Sequence, residues 1–219
     1  MMSPLIGALI FLVLYLAVSP VAGAFSVGEL PLPGSPAIEV HEYLAANTIP
    51  SIVTGVLQGL SGLGLAMVVA SPLTCVGGAR AARLRVLGSI AGWIAVAAIL
   101  ISAVLSIVLG VISPTAGTDV VAVIRNLSFY AGGVVHVTAL GVFTLSIAAM
   151  RGWTRTVRIV AWIAGSLAVL SMLSTVIYYA SLFLPLGRLA CMIALVVAGL
   201  SLVRRRTVIP ARASGTMVG

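Results

Sequence analysis

Six stretches of this chain are apolar for long enough to cross a lipid bilayer. They read as Leu5–Ala24, Pro50–Ala70, Val86–Ile112, Phe129–Met150, Ile159–Leu184 and Leu189–Val203. A helix rises about 1.5 Å per residue and the hydrocarbon core is about 30 Å thick, so roughly 20 residues suffice. The third and fifth stretches are long and are expected to tilt. The sixth is short, and Arg188 and Arg204 at its ends can snorkel outward. Backbone groups in lipid must be satisfied within the fold, so the expectation is all-α. Residues 1–219 then form a single integral membrane domain, a polytopic bundle of six spans. Charged residues make up only 7% of the chain, against about a quarter in a soluble domain, which excludes a soluble globule.

The net charge of +8 would suggest a nucleic-acid partner in a soluble protein, but here it reads as topology. All twelve basic residues are Arg. Arg80, Arg83, Arg85, Arg151, Arg155, Arg158, Arg204, Arg205, Arg206 and Arg212 fall on one side of a six-span chain. The other side holds Arg125, Arg188 and every acid: Glu29, Glu39, Glu42 and Asp119. Cytoplasmic loops carry the Arg excess, so both termini are expected in the cytoplasm. Anionic lipid headgroups are the expected partners of this charge, and nucleic acid is not. With the Ala, Gly and Val bias, the all-Arg usage points to a bacterial inner membrane.

The first span ends in Ala22-Gly23-Ala24, a pattern that signal peptidase accepts. The preceding residues carry no Arg or Lys, which favours a retained span over a cleaved signal; both readings stay open. Cys75 and Cys191 fall toward opposite faces and are not expected to pair. With two widely spaced histidines they match no zinc-ligand pattern, so no metal and no cofactor is expected.

The first outer loop opens on prolines and glycines and then reads as a helix over about 36–47, with Ser35 as its N-cap. Glu39, Glu42 and Ala46 share one face, and Ala37, Val40 and Leu44 another, as suits a helix lying on the outer membrane surface. The second outer loop starts with turn residues and runs into the fourth span. Its Asn126-Leu127-Ser128 matches the glycosylation sequon, a pattern short enough to arise by chance. The tail, 204–219, is too short to fold alone.

Gly59-Leu60-Ser61-Gly62 resembles the G-x-S-G motif around the nucleophile of rhomboid intramembrane proteases. The resemblance implies Ser61 as nucleophile and His136, two spans later, as its base. Such a dyad needs a hydrogen bond of about 2.6–3.2 Å. Counted from the span ends, the two residues differ in depth by roughly 6 Å. One span precedes the motif where rhomboids have three, and Ala139 stands where they carry a glycine. No catalytic residue is therefore expected. Gly55, Gly59 and Gly62 instead fall on one stripe with Ser51, Gln58 and Ala66, a surface on which another helix can approach closely. Ser61, off that stripe, is expected to bond the Leu57 carbonyl of its own helix.

Polar groups inside spans mark function or packing. Here they are Gln58, His136, Tyr178 and Tyr179, and His136 and Tyr178 are expected at similar depth. Together they suggest a polar pocket open to the outside, with the Glu39/Glu42 helix above it and Arg188 at its rim.

A long first outer loop, "ARAARLR" after the second span and "MRGWTRTVRIVAWIAG" into the fifth complete the pattern. In this spacing the chain resembles the six-span bacterial membrane proteins grouped as a domain of unknown function. The resemblance implies an inner-membrane helical bundle and assigns no reaction. The expected role is a non-enzymatic membrane protein that packs with itself, a partner protein or lipid through Gly/Ala-rich faces. The alternative is binding or transport of a small molecule or lipid in the outer pocket around His136. A rhomboid-like hydrolase is the remote third.

Overall fold

The computed structural model describes residues 4–31, 34–71, 82–175 and 183–208. These residues are all-α. α1 (Pro4–Gly23) leads through an irregular loop to a short α2 (Ala37–Ala46), and α3 (Thr48–Val69) follows directly after Asn47. Then come α4 (Ala82–Ile112), α5 (Thr118–Phe129) and, across a π-helical turn at Tyr130–Val135, α6 (His136–Ala149). α7 (Arg155–Leu170) ends in a 3-10 turn at Ser171–Thr175, and α8 (Phe183–Val208) completes the fold. Six helices are long and apolar enough to cross a membrane, with α5, the π turn and α6 acting as one span of 32 residues. Their outer surfaces expose Val13, Ile94, Ile101, Ile163 and Ile193, side chains that suit lipid contact.

Each span packs antiparallel on the next, and the last returns to the first. Gly7 of α1 meets Gly64 of α3, Gly55 of α3 meets Ala103 of α4, and Gly92 of α4 lies near Phe143 of α6. Gly141 of α6 meets Gly165 of α7, Gly187 of α8 meets Ala168 of α7, and Gly199 of α8 meets Leu5 of α1. The result is a ring of six helices in chain order, filled by Phe11, Leu65, Ile99, Leu140, Phe143, Met192 and Leu195.

Small residues matter because lipid supplies no hydrophobic drive between helices; close backbone approach supplies dispersion contacts instead. A Cβ on Gly64 would lie 2.7 Å from the Phe11 nitrogen and 2.9 Å from the Gly7 carbonyl. One on Gly55 would lie 2.5 Å from the Ala103 carbonyl. The glycine-rich stretch of α3 therefore serves two neighbours at once, α4 through Gly55 and Gly62 and α1 through Gly64. Gly59 is looser, with only the Ala103 side chain at 3.7 Å.

Three spans differ from the sequence reading in where they begin or end. The fourth begins at Thr118 rather than Phe129, and two polar residues of α5, Arg125 and Ser128, find partners inside the fold. The sixth begins at Phe183 rather than Leu189, with Pro185 in its first turn, where a missing N–H costs no hydrogen bond. It also runs on to Val208, through what the sequence reads as tail. Among the described residues the fifth is apolar and helical from Arg155 to Leu173, and part of the long span expected, 176–182, lies outside the described residues.

α2 and α5 lie together over one end of the ring. Val40 and Leu44 of α2 pack on Leu109 of α4 and Val121 of α5. His41 Nε2–H donates to the Ala116 carbonyl at 3.1 Å. Glu39, Glu42 and Ala46 are exposed on the one face that helical spacing gives them, so the two acids, expected at the pocket, point away from it.

Candidate functional site

Beneath α2 a cavity of about 700 Å³ lies between the helices, open to the outside along part of its boundary. α1 contributes Tyr15, Val18 and Ser19 to its wall, and α3 contributes Ser51, Thr54 and Gln58. Ser102, Ser106 and Leu109 come from α4, Arg125 and Ser128 from α5, and Gly132 and Gly133 from the π turn. Leu184, Pro185 and Arg188 of α8 complete the circuit, and Tyr43 and Leu44 of α2 form the roof with Leu30.

The roof is tied down by two polar clasps. Asn47, 1% exposed, accepts from Val27 N at 2.7 Å and donates to Val27 O at 3.0 Å and Tyr43 O at 2.9 Å. Arg125 donates to the Pro31 carbonyl at 2.8 Å. The loop between α1 and α2 is thus fixed to the start of α3 and to α5.

One wall is hydroxylic. Ser102 Oγ donates to the Ser128 carbonyl at 3.0 Å, and Ser128 Oγ donates to the Ser102 carbonyl at 3.2 Å. Ser106 Oγ lies 3.4 Å from Ser128 Oγ. The π turn brings Gly132 so close to Ser102 that a Cβ there would overlap the serine side chain. An extra residue in a helical turn is a feature often found beside functional sites.

The opposite wall carries the charge. Arg188 is only 7% exposed, its guanidinium stands 4.9 Å from the centre of the Tyr15 ring, and its Nε has no hydrogen-bond partner. Gln58 Oε1 is likewise buried without a partner. No Asp or Glu lines the cavity. It is a positively charged chamber with apolar patches.

About one helical turn deeper the ring is solid. Phe11, Ser61, Ile99 and His136 are essentially inaccessible and close the cavity toward the arginine-rich end. His136, 0% exposed, donates from Nδ1 to the Ala95 carbonyl at 2.8 Å, and its ring meets Phe11 edge-on at 6.0 Å between centroids. Its Nε2 has no partner.

Of the residues singled out from sequence, Gln58 and Arg188 line the cavity together. His136 lies in the layer below it, and Glu39 and Glu42 sit on the outward face of α2. Tyr178 and Tyr179 lie outside the described residues, as does Cys75. Gly55 and Gly62 press on α4. Ser61 does not bond the Leu57 carbonyl as expected; its Oγ donates across to the Phe11 carbonyl of α1 at 2.9 Å. Ser61 and His136 form no hydrogen-bonded pair, since Nε2 of the histidine is unpartnered. Among the described residues no three His, Cys, Asp or Glu gather as a metal site would require.

Sequence reasoning missed Tyr15, Asn47, Arg125 and the serines. The signal for the serines was Ser102 and Ser106, four apart on one face of an apolar helix. Comparison with family models, with curated proteins and with solved structures finds no match, so the resemblance to six-span bacterial proteins rests on the six apolar helices alone.

Proposed function

We propose that this chain is a multi-pass protein of a bacterial inner membrane that holds a small amphipathic molecule in the cavity under α2. The observation that carries the reading is the cavity itself. Its volume of about 700 Å³ lies within the roughly 300–1,000 Å³ of small-molecule sites, and its lining mixes hydroxyl, amide and guanidinium groups with leucines. The distribution of arginines supports placing both termini in the cytoplasm and the cavity in the outer leaflet.

Association through glycine faces has less support, because the tightest of those faces are engaged inside the ring. The packed layer at Phe11 and His136 supports a binding pocket, closed at its inner end, over an open conduit.

Native mass spectrometry of the protein, purified gently from its membrane, tests the reading. A bound species of defined mass is expected on the wild type and is expected to be lost when Thr54→Trp fills the cavity. A bare chain in both would end the proposal.

A further inference from the structure

We infer that the molecule held in this cavity is an anion, and that Arg188 is the residue that recognises it. The inference rests on the cavity-binding reading and adds the ligand's chemical class, a phosphate or carboxylate head on an apolar body.

A guanidinium keeps its proton under all ordinary conditions, so Arg188 cannot escape burial by becoming neutral. A buried charge is tolerated where a counter-charge and hydrogen-bond acceptors surround it. Arg188 has no counter-charge in the cavity lining, and its Nε has no acceptor. Its face rests on the Tyr15 ring, an attraction weaker than an ion pair. The four acids of the chain are Glu29, Glu39, Glu42 and Asp119, and none lines the cavity. Arg125 adds a second positive charge at the upper wall, although one of its nitrogens is engaged with Pro31.

The remaining lining fits the same guest. The guanidinium fork matches two oxygens of a phosphate or carboxylate. Ser106 and Gln58 offer further donors, the glutamine by turning its amide. Leu30, Leu44, Leu109 and Leu184 can take the first carbons of a hydrocarbon chain. A lipid headgroup and a soluble phosphate monoester share this chemistry.

The test uses the full chain in zwitterionic detergent, with phosphatidylglycerol, phosphatidylcholine or glycerol 3-phosphate added. Adducts are read by native mass spectrometry and stability by thermal unfolding. Wild type is expected to retain one phosphatidylglycerol at least tenfold in preference to phosphatidylcholine, and to melt higher in its presence. Arg188→Met is expected to lose the preference and the shift while still binding phosphatidylcholine. Without added anion it should melt no lower than wild type, because it removes an unpaired buried charge; a merely structural arginine would destabilise in every condition. Arg188→Lys should keep part of the preference.

Equal stabilisation by glycerol 3-phosphate would support the anion site and assign it a soluble ligand. An unchanged phosphatidylglycerol preference in Arg188→Met and Arg188→Lys would overturn the inference and leave the cavity reading intact. Binding of none of the three to wild type would overturn the inference, and a wild type that also carries no native species lost in Thr54→Trp would remove the cavity reading with it.

Discussion

Asn47 holds Val27 by both of its backbone groups, accepting from the nitrogen at 2.7 Å and donating to the carbonyl at 3.0 Å. Nineteen residues of chain, 28–46, including all of α2, are looped between the two. One side chain at the junction of α2 and α3 thereby sets the height of the roof over the cavity.

Asn47→Ala removes three part-buried hydrogen bonds, to Val27 N, Val27 O and Tyr43 O, each worth about 0.5–1.5 kcal/mol net. A loss of about 2–3 kcal/mol of stability is expected, together with faster proteolysis between Phe25 and Ser35. Thermal unfolding in detergent and limited proteolysis measure the two. Unchanged cleavage would mean that the clasp does not hold the loop.

The glycines of α3 should respond unequally to the same added methyl. Gly64→Ala and Gly55→Ala drive a Cβ into backbone atoms of α1 and α4, which cannot move as a side-chain tip can. Overpacking of this kind costs about 1–3 kcal/mol, occasionally more. Gly59→Ala meets only a methyl at ordinary contact distance and should be neutral or slightly stabilising, since Ala is the better helix former. Equal losses at all three positions would contradict the two-sided seam.

Ser61 should behave as a strut between helices. Its Oγ is already donated to the Phe11 carbonyl, and the side chain is inaccessible. Ser61→Ala is expected to cost about 0.6–2 kcal/mol, the range measured for interhelical hydrogen bonds in membranes. A fluorophosphonate probe should leave the wild type unlabelled. Labelling that disappears in Ser61→Ala would restore the serine as a nucleophile.

How much of this was legible depended on which residues had local meaning. The spans are written in runs of apolar residues because hydrocarbon thickness demands them. The two faces of α2 follow from helical period alone, with Glu39 and Glu42 outward and Val40 and Leu44 inward. The start of α5 was hidden because Asp119, Arg125 and Asn126 look like a loop. Arg125 becomes acceptable in a helix only through the Pro31 carbonyl, 94 residues away in sequence, which no local pattern announces. Gln58 and Arg188 were visible as isolated polar residues in or beside apolar runs, but that they share one chamber depends on the ring closing.

His136 shows the consequence of that hidden start. Counted from Phe129 it lies near the outer surface, whereas the helix containing it begins at Thr118 and passes through a π turn first. The histidine is therefore roughly 25 Å of helix from the start of its span, below the cavity and not in it. Its Nδ1 bond goes to a carbonyl of α4, and its unpartnered Nε2 faces a fully packed layer. His136→Phe replaces the ring by one of similar shape and removes the orphaned nitrogen, at the cost of a single hydrogen bond. The loss of stability should stay below about 2 kcal/mol. The species bound in the cavity should be retained at wild-type occupancy, whereas Gln58→Leu, at the wall itself, should reduce it. Native mass spectrometry of the two variants in parallel decides the matter. Loss of the bound species in His136→Phe, with the fold intact, would mean that the ligand reaches deeper than the packed layer allows and that this layer opens on binding.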